Sequence, residues 1–342
     1  MTMLTQPATD VRPRPVPGTL PGLPGGERVI LAPLCGITSA PFRRICLEHG
    51  AEMAVTEMVS SEAMTRGNRA LCRALEGLDM SAGTQAVQIF GGDAERMGET
   101  AAILSEEFAP RYLDMNFGCP VKKIVKGGGG SAVLRDLHIL SAICKRVVAR
   151  SRVPVSAKMR AGWDKPTGSL VRDIARTIED AGVSMLAVHA RTRKQGFAGA
   201  ANWELIAEAK DAVTIPVVGN GDVHGAEEAV AIRAATGCDA VMIGRGAIGN
   251  PWVFAEVRAR LDGGVYAPPT PRERARTLLR HAREAVRIDG EPYGIIGMRR
   301  VMAAYVKHLP GARELRGVLM QATTLAELDA LMAGYLRDAA VA

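Results

Sequence analysis

Cys119 stands between Gly118 and Pro120, where an apolar run beginning at Tyr112 gives way to a glycine-rich stretch ending at Ser131. An unperturbed thiol titrates at about 8.5, so at neutral pH such a side chain is mostly protonated and can act as a general acid. Lys122, Lys123 and Lys126 follow closely and are expected to surround it with positive charge. Gly127 to Gly130 permit backbone conformations closed to other residues. Alone, the motif reads equally as a surface turn that contains a cysteine. Further polar residues shift that balance: Glu57, Gln88, Asn116, Lys158, Arg160, His189, Arg191, Asn220, Asp222 and Arg245 each lie at or just beyond the end of an apolar run. Any one has a structural explanation, His189 as a hydrogen-bonded interior histidine for instance. Their joint placement is harder to attribute to packing, because buried polar groups cost free energy unless partners or ligands meet them.

The elements that must position these groups are eight short apolar runs, starting at Val29 and recurring at Met53–Glu57, Ala86–Phe90, Tyr112–Asn116, Val153–Met159, Ser184–His189, Ile215–Asn220 and Ala240–Gly244. Helical patterns separate most of them, with Gly50, Gly182 and Gly237 placed as C-terminal caps. This alternation predicts an α/β fold, a (β/α)8 TIM barrel over residues 27–262, with a doubly wound open sheet as the rival. In a barrel, function belongs at the C-terminal ends of the strands, which is where the polar residues gather. Gly219–Asp222 and Gly244–Gly246 sit at the seventh and eighth strand ends, where barrels commonly hold a phosphate on backbone amides. Gly244–Gly249 formally matches G-x-G-x-x-G, but Asn250 and Pro251 follow at once and the context is a barrel, so a Rossmann site is set aside. A flavin mononucleotide phosphate fits better, with Lys158 available to an anionic isoalloxazine edge. These residues alone do not identify flavin uniquely.

The chain has 342 residues, 47% of them hydrophobic and 23% charged, enough to bury a large core, and its net charge of +7 favours an anionic partner. Six dispersed cysteines include no Cys-x-x-Cys pair, so neither a zinc site nor a disulfide framework is indicated and no metal is expected. No apolar stretch approaches the ~18 residues of a membrane span, so a cytoplasmic protein is the expectation. Residues 1–26 are rich in proline and glycine and are predicted to form a disordered, mobile extension.

The motifs resemble those of the tRNA-dihydrouridine synthases, most closely the bacterial B-type, NifR-like members. The resemblance rests on Ala32–Ser39, Glu57–Met58, Gln88–Ile89, Met115–Pro120, Lys158–Trp163, His189–Arg193, Asn220–Asp222 and Gly244–Arg245 followed by Asn250–Trp252. It covers the whole barrel and extends into the C-terminal region. It implies an FMN-binding barrel followed by a small helical domain that grips tRNA, with NADPH or NADH as reductant. Carried over by position, Pro33, Leu34, Cys35, Gln88, Lys158, Asn220, Gly221, Asp222, Gly244 and Arg245 would contact FMN. Cys119 would give a proton to C5 of uracil while hydride reaches C6 from flavin N5, and Asn116, His189 and Arg191 would surround the base. A stacked base cannot reach a barrel floor, so the uridine must be flipped out. Cys35 and Ser39 depart from the alanine and aspartate usual in the family.

After the barrel, Ala267–Pro271 marks a boundary, and residues 263–342 are predicted to form the helical tRNA-binding domain. Its positive charge is front-loaded in Arg272, Arg274, Arg276, Arg280, Arg283 and Arg287, then Arg299, Arg300 and Lys307. The expectation is that these residues and the lysines beside Cys119 form one groove for tRNA phosphates, against the alternative of an ordinary solvated helix face. No obligate protein partner is expected. Two rival readings are an FMN barrel reducing a free pyrimidine, in the manner of dihydroorotate dehydrogenases, and a tRNA-remodelling protein with little turnover.

Overall fold

The computed structural model describes residues 28–341 apart from 69–74, 76–78, 80, 82, 166 and 308. The expected mobile extension over residues 1–26 lies outside the described residues. Eight parallel strands close into a barrel in sequence order, β1 (Val29–Leu31), β2 (Met53–Ser60), β3 (Gln85–Phe90), β4 (Tyr112–Phe117), β5 (Val155–Arg160), β6 (Met185–His189), β7 (Val217–Asn220) and β8 (Ala240–Ile243), with β8 pairing back to β1. The open-sheet rival is thereby excluded.

Around them pack α1 (Ala40–Glu48), α2 (Ser61–Thr65), α3 (Ala94–Glu107), α4 (Lys122–Lys126), α5 (Leu137–Arg150), α6 (Gly168–Asp180), α7 (Glu204–Ala212), α8 (Ala226–Thr236) and α9 (Val253–Leu261). Their starts follow local chemistry: the side chains of Asp93, Asp136 and Thr167 accept amide hydrogens at the N-termini of α3, α5 and α6. Gly237 closes α8 in the left-handed region at φ +65. Gly50 and Gly182 come one residue after the caps of α1 and α6 and also have positive φ.

Alternate strand residues point inward, and this period of two divides the barrel interior into levels. Ile30, Met53, Val55, Ala86, Tyr112, Met185, Ala187, Val218 and Met242 form an apolar lower plug. Two positions further along, the inward residues turn polar: Tyr112 leads to Asp114 and Asn116, Ala86 to Gln88, Ala187 to His189 and Val218 to Asn220. Strand register sets Gln88 opposite Asp114, Asn116 opposite Lys158, Arg160 opposite His189 and His189 opposite Asn220.

β2 runs three residues past its expected end at Glu57, with an irregularity against β3 between Val55 and Met58. Thr56 causes it in part, since its hydroxyl accepts the Gln88 amide hydrogen at 3.0 Å and donates to the Glu57 carbonyl at 2.7 Å.

The chain then forms α10 (Pro271–Asp289), α11 (Tyr293–Tyr305), α12 (Ala312–Leu319) and α13 (Leu325–Val341). A capping box between Thr270 and Glu273 starts α10 directly after the proline-rich segment. The helix docks on α1: Phe42 and His281 stack at 5.5 Å, and Arg280 clasps the Glu48 carboxylate with two nitrogens. Gly249 lets α11 approach the β8 end, because a Cβ there would lie 2.4 Å from the Tyr305 nitrogen. Among the described residues, no helix is long and apolar enough to cross a membrane.

The direction of α10 matters for the charge expectation. Arg280 meets Glu48 at the far end of α1, whereas Ala285, Ile288 and Asp289 join Gly36, Ser39 and Glu57 around a cavity of about 280 Å³ at the strand C-terminal end. The arginine series therefore descends the barrel flank from Arg287, nearest the mouth, to Arg272. Several members are engaged within the protein: Arg280 with Glu48 and Glu284, Arg283 with Asp329, and Arg274 over the Trp252 ring. Arg299 donates toward the Ala322 carbonyl and has a buried Nε. The arginines of α10 thus form a stripe along the barrel flank, with its Arg287 end beside the strand C-terminal ends and its Arg272 end at the opposite end of the barrel.

Candidate active site

The polar level of the barrel opens into a cavity of about 310 Å³. Every residue expected to bind or catalyse lines it except Arg191. Its floor is a hydrogen-bond chain across three strands. Asp114, 3% exposed, accepts from Ser156 Oγ at 2.7 Å and from Gln88 Nε2 at 2.7 Å. The bond from Nε2 fixes the orientation of the Gln88 amide, so its Oε1 faces Asn116 and accepts from Nδ2 at 2.8 Å. Asn116 Oδ1 in turn accepts from the backbone amides of Gly118 and Cys119 at 3.1 and 2.9 Å. Much of the bonding capacity of Asn116, expected to face the substrate, is spent on shaping the turn that carries the thiol.

That turn is pinned from its other side as well. Ser131 donates its amide and its hydroxyl to the Cys119 carbonyl at 3.1 and 2.9 Å. The chain reaches Ser131 through α4 and the glycine run. Gly130 has φ +57, and a Cβ on it would meet the Cys119 carbonyl oxygen at 2.8 Å. Lys122, Lys123 and Lys126 lie exposed on α4. Burial pushes the Cys119 thiol up, outweighing the Val121 backbone hydrogen bond and the cation that acts on it, Arg160, both of which favour the thiolate. Cys35 lines the same cavity and is likewise pushed up, first by burial and then by Glu57 and Cys119.

Four cations surround His189. Burial first, then Lys158, Arg160, Arg191 and Arg245, lower its imidazole to about 2, so it is neutral at every ordinary pH. Lys158 lines the same cavity, and its ammonium donates to Asn220 Oδ1 at 3.1 Å while Asn220 Nδ2 donates to the Met242 carbonyl at 2.7 Å. Burial, with Arg160, brings Lys158 down to about 8. Arg160 donates to the carbonyls of Gly118, Thr192 and Gly196 at 2.9, 3.1 and 2.9 Å, tying the Cys119 turn to the loop after β6.

Arg191 braces the wall from behind. It is 2% exposed and donates to the Gly199 carbonyl at 2.6 Å and to Asp222 at 2.5 Å. Asp222, a non-glycine residue at φ +54, also accepts from Arg245 at 2.9 Å and from the Ala201 amide at 2.8 Å. Sequence reasoning missed Asp114 and Ser156, which sit inside runs read as uniformly apolar. It also missed Phe197, Met58, Val223 and His224 in the cavity wall. A period-two count along β4 and β5 would have put Asp114 and Ser156 on the inward face.

A family model described as dihydrouridine synthase (Dus) matches residues 30–340. The tRNA-dihydrouridine synthase B of Pseudomonas aeruginosa is 40% identical over 303 residues, 88% of this chain and 88% of the relative. That of Xanthomonas axonopodis pv. citri is 39% identical over 332 residues, 92% and 97% of the two chains. A probable tRNA-dihydrouridine synthase of Rickettsia bellii is 36% identical over 294 residues, 86% and 90%. Among solved structures, a histamine dehydrogenase from Rhizobium sp. 4-9 overlays with a TM-score of 0.49 at 13% identity, covering 74% of this chain and 48% of that one, and adds nothing to the barrel topology already seen. A match across nearly all of the described residues, with relatives covered just as fully, leads to one conclusion: the chain belongs to the dihydrouridine synthase family.

Proposed function

We propose that this protein reduces the C5=C6 bond of a flipped-out uridine in tRNA, with Cys119 delivering the proton to C5. The observation that carries the reading is geometric: Cys119, on a turn pinned by Asn116 and Ser131, and His189 line one cavity. Burial raises the Cys119 thiol, whereas burial and four cations lower the His189 imidazole. At neutral pH the thiol is therefore the acid of the two, and the imidazole is left as a neutral hydrogen-bond partner for the base.

The cavity fits a flavin mononucleotide. Lys158 presents a buried cation suited to an electron-rich ring edge, and Gly221 at φ +132 has no room for a side chain, since a Cβ would meet that of Ala201 at 2.9 Å. Gly246 is equally constrained against His224. Pro33, Leu34, Cys35, Gln88, Lys158, Asn220, Gly221, Asp222, Gly244 and Arg245 would hold the group. When bound, FMN supplies the hydride for C6 at the expense of NADPH. The protein's own part is to fix the Cys119 turn through Asn116 and Ser131, to keep Lys158 charged beside Asn220, and to offer His189 to the substrate. In this reading residues 27–262 are the catalytic unit and residues 263–342 help to hold tRNA. The names of the matched relatives favour this over a reductase of free pyrimidines.

The test is nucleoside mass spectrometry of tRNA from cells lacking the gene, incubated with purified protein, FMN and NADPH. Dihydrouridine should appear, and Cys119→Ala should lose about 10²–10⁴-fold of it while still oxidising NADPH with oxygen. Failure of the wild-type protein to form any dihydrouridine would overturn the assignment, and near-normal turnover by the variant would remove Cys119 from the chemistry.

A further inference from the structure

Of the polar strand-end residues, Glu57 is left unused by the active cavity. It lines instead the cavity of about 280 Å³ between the barrel and the helices α10 and α11. Among the described residues its carboxylate makes no hydrogen bond and no ion pair, although it acts electrostatically on Arg43 in the same wall. Arg43 is 1% exposed and gives Nε to Gln85 at 2.9 Å and Nη1 to the Thr38 carbonyl at 2.7 Å. Its remaining nitrogen, Nη2, is buried without a partner, which costs free energy unless a ligand meets it. A third feature keeps this space open. Glycine inside a helix costs stability relative to alanine, and α11 has two that line the cavity. A Cβ on Gly294 would meet the Val286 backbone at 2.7 Å, so that glycine serves packing, whereas a Cβ on Gly297 would meet nothing within 4 Å. Gly297 returns no packing, only room.

The two cavities are neighbours: Cys35 and Met58 line the active one, and their chain neighbours Gly36 and Glu57 line this one. Consecutive nucleotides of one strand can therefore enter both. Asp289 adds a second carboxylate, so an anion is a poor occupant and a neutral group rich in N–H donors a good one. Of the four bases, guanine alone sets two N–H donors side by side on its pairing edge, next to a carbonyl acceptor. We propose that this second cavity takes a guanine next to the target uridine in the RNA, its N1–H and N2–H donating to the Glu57 carboxylate and its O6 turned toward Arg43. The proposal rests on the reading of RNA as substrate. It makes Glu57 a specificity-determining residue that touches no reacting atom.

The experiment compares binding of the octamers (UG)4 and (UI)4, because inosine differs from guanosine only in lacking the N2 amine. The wild-type holoprotein should prefer (UG)4 by roughly 5- to 150-fold. Glu57→Gln, with one acceptor oxygen in place of two, should lose most of that preference. Gly297→Leu, which fills the cavity from a helix that tolerates leucine well, should lose it too, with FMN content and NADPH oxidation by oxygen unchanged. Should Glu57→Gln fail to fold, Gly297→Leu decides alone. Equal binding of the two octamers by the wild type, or a preference undiminished in Gly297→Leu, overturns the proposal. Absence of dihydrouridine formation by the wild type would instead strike at the functional reading, and the octamer comparison would still decide on the cavity.

Discussion

Asn116→Ala is the most informative perturbation, because the side chain links the barrel floor to the thiol. It removes three hydrogen bonds, from Nδ2 to Gln88 at 2.8 Å and from the amides of Gly118 and Cys119 at 3.1 and 2.9 Å. At about 0.5–1.5 kcal/mol net for each bond, with water from the cavity able to replace part of the loss, the cost in stability is about 1–3 kcal/mol. The larger effect should be on rate. A reacting group displaced by about 1 Å can lose 10²-fold, and the Asn116 carbonyl oxygen is the acceptor that holds both amides of the turn. Dihydrouridine formation in single turnover should therefore fall about 100-fold, with a far smaller change in NADPH oxidation by oxygen. Asn116→Asp separates positioning from substrate contact: its carboxylate can still accept both amides, so it should recover part of the rate even though it cannot donate to Gln88. Asn116→Ala with an unchanged single-turnover rate would refute the argument that this side chain positions Cys119.

Lys158 is brought down to about 8, so its charge is present below that pH and lost above it; any step that depends on the cation should decline as pH rises through about 8, and Lys158→Met should abolish that limb of the profile. If the alkaline limb persists in Lys158→Met, another group is responsible. Gly221→Ala should impair flavin retention, because the new Cβ would sit 2.9 Å from that of Ala201 at φ +132, and tight FMN binding by that variant would show that the loop has room to spare. Among the exposed arginines, replacing Arg287 with Arg300 by alanine should weaken tRNA binding and flatten its salt dependence by roughly 0.7–0.9 per lost phosphate contact. The pair Arg272 and Arg276, lower on the flank, should change less, and equal effects from both pairs would mean that RNA covers the whole stripe.

Much of the barrel was legible because its strands are buried on both faces and read as short apolar runs ending in polar groups. Cys119, Lys158, His189 and Asn220 stood out for the same reason, each marking the place where a run stops. Asp114 and Ser156 did not, since a polar residue between Leu113 and Met115, or between Val155 and Ala157, looks like an interruption until the strand's two faces are separated. The extension of β2 through Thr56 and Glu57 was hidden because a side-chain hydroxyl substitutes for regular pairing there. Charge counts found the arginines of α10 but not their direction, which depends on contacts such as Phe42 with His281 and Arg280 with Glu48 that are more than two hundred residues apart. The single arginine that acts on Cys119 comes from another strand, and proximity in sequence pointed to the wrong cations.

Arg160 binds the carbonyls of Gly118, Thr192 and Gly196 with one guanidinium, so the segment carrying the thiol and the segment carrying Phe197 share a fastener. Anyone recombining this enzyme with a relative should treat the two segments as one cassette. A chimera that imports the β4 loop without the β6 loop, or the reverse, would join two backbones to an arginine fitted to neither, and would misplace both ends of the mouth at once.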